Sequence, residues 1–556
     1  MMKLWTGKPG LLTGIVLGLF LAGLVLPPGI FADESTEALK IQVEELKELV
    51  EEMGERLNKP EVHSATDKVA LGVELKTTAW SLHYEDTRVA PPAMVGAFFV
   101  PYDGTPTGGF NGATLQQFQQ AMANMAMGGM IPPADTYDAD NDLIYTTKFR
   151  LNMNAKVNDN LSFTGRMAAY KVWGDSSGVN FNNNGMSDVT LDGTSVSRPH
   201  GDTIHLERAY FNYKNDIGVV PYNFSLGRRP STDGPPLEYA ANSLEGGSPL
   251  ASIINWQFDG ASLNFGLEEA IGIPGASLKL CYGVGFESDY GNSGSLSSNP
   301  QVDDVQLYGF ISNFYDDDVT KVTLNYAYAP GLTDGFTGTT VMPFIVSAED
   351  QNQDGTDEYY FTQNTGGFIS RVEPSTNIGD WQAASLLFRT NLEESVGDVD
   401  LFLATSWSHT DPSKISGNPF YTLMGQGLLS SNGELESHDG YSVYAGCVLP
   451  MPLEAKLGLE YNWGSKYWFN FTGAEDSFTG SKLATRGHVV ETYYIQPIMG
   501  DNLSVTVGGR YYDYEYTGSG NPLGEPVKVS EAMATDALFP VLDKAWELYV
   551  SATMKF

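Results

Sequence analysis

Tyr145-Thr146-Thr147-Lys148-Phe149-Arg150-Leu151-Asn152-Met153-Asn154-Ala155-Lys156-Val157 reads with a period of two. Tyr145, Thr147, Phe149, Leu151, Met153, Ala155 and Val157 share one face. Thr146, Lys148, Arg150, Asn152, Asn154 and Lys156 share the other. Side chains alternate across a β-strand, so this segment predicts a strand with one apolar wall and one charged wall. A soluble core does not explain so long a strand with a charged second face. A strand set between lipid and a watery lumen does.

Similar runs fall at 69–84, 161–173, 205–214, 222–229, 252–267, 277–288, 305–315, 321–329, 381–391, 399–409, 441–450, 454–465, 488–498, 503–516 and 544–556. Together they predict an all-β fold, a transmembrane antiparallel β-barrel of about 16 strands. Short turns, such as 157–160 and 500–502, alternate with long loops at 85–142, 174–204, 230–251, 289–304, 330–380, 410–440, 466–487 and 517–543. That asymmetry matches outer-membrane barrels, whose long loops face outward. An even strand count then puts both chain ends in the periplasm.

Tryptophan supplies a second reading. Trp80, Trp173, Trp256, Trp381, Trp407, Trp463 and Trp546 all fall in the loop-side halves of their strands, and Trp468 lies just past one. This predicts an aromatic girdle at one membrane interface. In the last strand Trp546, Leu548, Val550, Ala552, Met554 and Phe556 alternate with Glu547, Tyr549, Ser551, Thr553 and Lys555. A terminal Phe closing such a strand resembles the signal read by the barrel-assembly machinery. Outer-membrane lipid and that machinery are the expected partners.

The N-terminus reads as an export signal. Lys3 and Lys8 precede an uncharged apolar run, Leu11–Leu26, and Ala32 offers a small residue for cleavage before Asp33. The expected organisation is a signal peptide at 1–32, a periplasmic heptad helix at 33–60 and the barrel at 61–556. Leu39, Val43, Leu46, Val50, Met53 and Leu57 keep the heptad spacing of a short coiled coil. Such a helix is marginal alone, so a homo-oligomer, a trimer or a dimer, is expected. A helix lying on the periplasmic rim accounts for the pattern too.

The formal net charge of −36 excludes nucleic acid as a partner. The two cysteines, Cys281 and Cys447, sit on separate predicted strands, and no disulfide is expected between them.

The segment Gly227-Arg228-Arg229-Pro230-Ser231-Thr232-Asp233-Gly234-Pro235-Pro236-Leu237-Glu238-Tyr239 follows Glu207-Arg208-Ala209-Tyr210. With these motifs the chain resembles a family of porin-like bacterial outer-membrane proteins of uncharacterised function. The resemblance covers the barrel and the preceding helix. It implies a barrel and supplies no substrate.

A barrel of this size encloses more lumen than wall side chains fill, so an inward loop is expected to narrow it. Loop 230–251 joins the fifth and sixth predicted strands and carries Asp233, Glu238 and Glu245. Lys148, Arg150, Lys156, Arg166, Arg208 and Arg229 are expected on the facing wall. Acids opposite bases set a field across the pore that favours polar and charged solutes. Alternatively the two sets simply pair and pin the loop.

Asp350, Asn352, Asp354, Asp357 and Glu358 begin like a calcium loop, with Gly355 at the sharp turn. Phe361 stands where the bidentate Glu belongs. A weak Ca2+ site in an extracellular loop and an ordinary solvated loop fit equally; no other cofactor is expected. Asp135, Asp138, Asp140 and Asp142 read as a solvated loop. Gly174-Asp175-Ser176-Ser177-Gly178 fits the GxSxG pattern but lacks its strand–turn–helix setting, and the seven histidines show no metal-ligand spacing. The protein is therefore not expected to be an enzyme. Residues 114–127 read as a short helix in the first long loop, which either caps the pore or contacts another subunit. The leading expectation is a porin for small hydrophilic solutes or ions. The alternative is a barrel sheath around an electron carrier, which requires a wide lumen.

Overall fold

Hydrogen-bond ladders follow the alternation. In the computed structural model, sixteen antiparallel strands close into one barrel. They are β1 Val69–Val89, β2 Asp135–Lys156, β3 Leu161–Val172, β4 Ile204–Ile217, β5 Val220–Arg229, β6 Phe258–Gly266, β7 Ser277–Phe286 and β8 Val305–Asp316. The second half comprises β9 Thr320–Thr333, β10 Asn377–Asn391, β11 Asp400–Pro412, β12 His438–Met451, β13 Ala455–Gly464, β14 Gly487–Pro497, β15 Leu503–Tyr514 and β16 Lys544–Lys555. The structure describes residues 69–556 except 106–107, 175–203, 244–245, 289–301, 336–337, 342–343, 364–368, 373 and 432. The signal segment, the heptad at 33–60, most of the GxSxG stretch and Glu245 lie outside the described residues.

β1 and β16 seal the barrel, with Ala79 opposite Val550 and Glu74 opposite Lys555. The terminal residue takes part. Phe556 N–H donates to the Val73 carbonyl at 3.0 Å, and Val73 N–H donates back at 2.8 Å. Leu548, Val550, Met554 and Phe556 are exposed on the outside of the wall, while Glu547 and Ser551 are buried inside. β2 repeats the pattern: Tyr145 and Phe149 face out, and Lys148 and Arg150 are buried. An outer apolar band with a polar interior defines a transmembrane barrel. Among the described residues no helix is long and apolar enough to cross a membrane.

The wall is uneven. β5, β6 and β7 have 10, 9 and 10 residues, whereas β1 and β2 have 21 and 22. Segment 252–257, expected to begin the sixth strand, leaves the wall; the ladder starts at Phe258. A bulge interrupts β3 and β4: Arg166 faces Arg208 and Met167 faces Leu206, leaving Glu207 unpaired between them. A bulge inserts one residue and breaks the period. Glu207 and Arg208 are consecutive, yet both are buried on the lumen side.

At the long-loop end, four loops share one apolar core. The loop after β1 carries the helices α1 (Pro92–Ala97) and α2 (Leu115–Met127), and contributes Phe98, Phe110 and Phe118. Phe344 and Phe361 come from the β9–β10 loop, Phe420 and Leu423 from the β11–β12 loop, and Ala534 from the β15–β16 loop. Phe98 stands 5.0 Å from Phe361 and Phe344 5.4 Å from Phe420, ring centre to ring centre. Such contacts between aromatic rings add specific geometry to area burial. Helix α2 begins with a reciprocal cap: Gln117 N–H donates to Thr114 Oγ1, and Thr114 N–H donates to Gln117 Oε1. Its Phe118 and Ala121 are buried in this cap.

The girdle reading is corrected in half its members. Trp173, Trp407, Trp463 and Trp546 lie on the outer face, with Trp546 stacked 3.6 Å from His83. Trp80, Trp256, Trp381 and Trp468 are buried inside, at 3%, 7%, 0% and 0% exposure. Height along a strand says nothing about parity. Trp80 and Trp381 sit on lumen-facing positions, and Trp256 and Trp468 belong to loops.

Candidate functional site

The conspicuous motif is the root of an inward loop, 230–257. Gly227, two residues before the end of β5, has φ +125°, and a Cβ there would stand 2.3 Å from the Ala209 carbonyl oxygen. Only glycine tolerates both conditions. Next, Ser231 Oγ accepts from Phe258 N–H at 3.0 Å and Thr232 Oγ1 accepts from Gln257 Nε2 at 3.0 Å, clasping the two ends. Beyond this neck the loop crosses the lumen. Leu237, Leu250 and Ala251 pack on Leu387, Phe402, Ala404 and Tyr444 of β10–β12. Tyr239 stacks on Phe402, and Arg389 pairs with Glu238. Leu250 N–H donates to Asn325 Oδ1 of β9, and Lys555 Nζ of β16 donates to the Asn242 carbonyl.

A second loop, 465–486 between β13 and β14, also folds inward, against the outward course expected of the long loops. Its Trp468, Phe469 and Phe471 join Trp256 and Trp381 in a buried cluster. Phe471–Thr472 pairs in parallel with Ile254–Asn255, so the two loops meet inside the barrel. Polar ties hold the rest. Ser477 and Thr479 hydroxyls donate to Glu547 at 2.8 and 3.1 Å. Lys482 Nζ lies 2.5 Å from both Glu460 and Glu491. Arg486, fully buried, donates to the carbonyls of Trp468, Thr517 and Asn521. The apolar run Tyr467-Trp468-Phe469-Asn470-Phe471 was the available sign, since a solvated loop has no use for it.

Both loops present an acid to the same stretch of wall. Asp233 lies 2.9 Å from Arg150, 3.5 Å from Arg166 and 3.6 Å from Arg208. Asp476 lies 2.9 Å from Lys148 and 3.9 Å from Lys76, and accepts from the Tyr170 hydroxyl. Each acid has a positive φ, 59° for Asp233 and 64° for Asp476, a conformation that non-glycine residues hold only when surroundings impose it. Glu207 completes the row, accepting from Arg150 at 3.1 Å and from Arg166 at 3.1 Å while fully buried. Glu74 lies 3.5 Å from Arg150.

The loop acids answer to this setting. Burial alone would raise the Asp233 carboxyl, but Arg150, Lys148, Arg208 and Arg166 together outweigh it and hold the group below the usual carboxylate range. Asp476 behaves alike under Lys148 and Lys76. Glu475, next to it, does not. Burial pushes its carboxyl up to about 7, and the bonds from Ser481 Oγ and Lys482 N–H only partly oppose this.

Of the residues singled out beforehand, Lys148, Arg150, Arg166, Arg208 and Asp233 come together. Glu238 stands apart at the far wall with Arg389. Arg229 faces the lumen away from the acids, its Nε donating to Ser225 Oγ at 2.9 Å. Lys156 lies at the short-turn rim with Asp159. Lys76, Glu74, Glu207 and Asp476 were missed, as were Glu460, Glu491, Arg510 and Glu547. Glu207 was hidden by the bulge, and the strand residues needed a parity count on every strand.

Asp350, Asn352, Asp354 and Asp357 lie in a hairpin turn between the short strands Phe344–Glu349 and Glu358–Gln363, and Glu358 opens the second. Asp350 accepts from Asp354 and Gly355 N–H at 3.0 and 2.9 Å, and Glu358 accepts from Asn352 Nδ2 at 2.7 Å. Their oxygens serve the turn itself. Among the described residues no three His, Cys, Asp or Glu side chains converge to hold a metal ion. Both cysteines are free.

These features define a class: a closed sixteen-strand transmembrane barrel whose lumen is crossed by two pinned loops. The chain belongs to the family described as "Protein of unknown function (DUF3373)", whose profile matches residues 138–556. No curated protein matches it. Among solved structures it is similar to OmpT, an outer membrane protein of Vibrio cholerae, at 11% identity, with 88% of this chain and 97% of that chain covered and a TM-score of 0.38. Pseudomonas putida OprB matches at 10% identity, covering 88% and 95%, with a TM-score of 0.41. An anion-selective porin from Comamonas acidovorans matches at 10% identity, covering 88% and 99%, with a TM-score of 0.39.

Proposed function

We propose that the protein is an outer-membrane channel through which small hydrophilic solutes or ions diffuse passively. One observation carries the reading. Five charged side chains at the meeting of wall and loops keep partial exposure: Lys76 31%, Asp233 23%, Glu74 20%, Arg166 18% and Asp476 17%. All five lie inside a closed barrel, so the surface they expose borders a wet passage. Fixed charges of both signs along such a passage favour polar solutes and resist apolar ones. On this reading the long-loop end, where the outward tryptophans sit, is the outer interface and both chain ends are periplasmic. There the heptad at 33–60 would hold copies together.

Two crossing loops speak against the sheath, because a protein-sized electron carrier needs the lumen they occupy. Planar-bilayer recording of the refolded protein tests the channel. Discrete conductance steps are expected; their complete absence would remove the proposal.

A further inference from the structure

Between the first inward loop and the lumen side of β6–β9 lies a cleft. Its lining is mostly apolar. Pro230, Pro249 and Ile254 come from the loop, and Phe258, Leu307 and Ile311 from the wall. Asn325 lines it too, but its amide is already bonded to Leu250 N–H and to the Phe310 and Tyr326 carbonyls.

Arg229 opens onto the same cleft and differs from most of the lumen arginines; Arg486 also lacks a carboxylate, but its guanidinium is taken up by three backbone carbonyls. Arg150, Arg166, Arg208, Arg389 and Arg510 each pair with a carboxylate. Among the described residues Arg229 has no carboxylate partner; its Nε bonds to a neutral hydroxyl, Ser225 Oγ, and its guanidinium also lies against the Cys281 thiol. A guanidinium is charged at every relevant pH and presents a planar fork matched to a carboxylate. Left in apolar surroundings without a counter-ion, it is costly unless water or an anion serves it.

We propose that this cleft binds a small amphipathic monocarboxylate, with the carboxylate on Arg229 and an aromatic or short aliphatic body against the prolines, Ile254, Leu307 and Ile311. The proposal deepens the channel reading by naming a solute class, and rests on that reading only for how the acid arrives. Binding itself is independent of conduction.

Cys281 lines the cleft as a half-buried free thiol, whereas Cys447 shares the outward parity of exposed Tyr441 on β12. The test uses the refolded full chain carrying Cys447→Ala. Benzoate and hexanoate are titrated by calorimetry and assayed for protection of Cys281 from a maleimide. Benzyl alcohol, hexanol and acetate serve as controls. Benzoate and hexanoate should bind and slow labelling several-fold, the alcohols and acetate far less. Arg229→Gln should weaken binding about tenfold, with Arg229→Lys retaining part of it. Ser248→Trp, placed in the cleft lining, should block binding while leaving Arg229 intact. Equal binding by Arg229→Gln, or no heat and no protection with a folded barrel, would overturn the proposal. Bilayer steps without benzoate binding would remove this site alone; binding without steps would remove the channel alone.

Discussion

Lys148 Nζ stands 2.9 Å from Asp476 Oδ1, and this contact ties the β13–β14 loop to β2, on the far side of the β1–β16 seam. Both side chains are largely buried, so breaking the pair leaves an uncompensated cation at a cost of about 3 kcal/mol or more. Asp476→Asn should therefore loosen the second loop. The expected outcome is a larger and noisier unit conductance in single-channel records. An unchanged conductance would mean that this loop does not limit the passage.

Asp233 is the only loop acid within ion-pair reach of Arg150, Arg166 and Arg208 among the described residues. Asp233→Asn should leave that row more positive and move ion preference toward anions. Arg150→Glu plus Arg166→Glu should move it toward cations, with a lower folded yield because buried Glu207 loses its partners. Reversal potentials under a salt gradient measure both. Identical potentials in all three proteins would sink the idea that this row filters ions.

Of the eight described tryptophans, four face outward and four are buried inside. Brominated lipid in reconstituted vesicles should quench Trp173, Trp407, Trp463 and Trp546 and spare the rest. Trp546→Phe should reduce the quenchable fraction, and Trp80→Phe should reduce only the unquenched one. Quenching of Trp80 would show that the parity of β1 is wrong.

Glu475 brings a pH dependence whose sign follows from its raised carboxyl. The folded barrel keeps this proton up to about 7, whereas the unfolded chain releases it near the ordinary value. Between those limits the folded state holds the extra proton, so stability falls as pH rises and levels off above about 7. The thermal midpoint of the detergent-folded barrel should drop between pH 5 and 8 (~5 and ~8 bracket the titration). Glu475→Gln should flatten that slope and raise stability at the alkaline end. A slope unaffected by the substitution would assign the titration elsewhere.

Gly227→Ala forces a Cβ against the Ala209 carbonyl at a positive φ. Strain on the order of 1–3 kcal/mol is expected, concentrated where the first loop departs. The folded fraction on unheated gels should fall, and wild-type behaviour would show that the chain shifts there freely.

The barrel was legible because alternation is a strand's own property: Tyr145–Val157 announces two faces whatever surrounds it. All sixteen segments proved to be wall strands, although 252–257 was assigned one strand too generously. What lay beyond reach was tertiary. Leu206-Glu207-Arg208-Ala209 has no visible break of period, so the bulge that turns Glu207 inward cannot be read from it. Trp80 and Trp546 look alike by height and differ by face. Asp476 finds Lys148 only because a loop far along the chain folds back through the lumen, and no local pattern encodes that return. By contrast Asp233 was accessible, since its loop begins at an unusual cluster of glycine, arginine and proline.

The parallel bridge between Ile254–Asn255 and Phe471–Thr472 has a consequence for how such a barrel is made. One half of the obstruction belongs to the early strands and the other to the late ones. The bridge forms only once the β13–β14 hairpin is in place. Until then the first loop is held by the wall alone and the second half of the obstruction is missing, so an intermediate arrested at that stage would leak. Assembly that runs to completion thus protects the permeability barrier as much as it produces the finished protein.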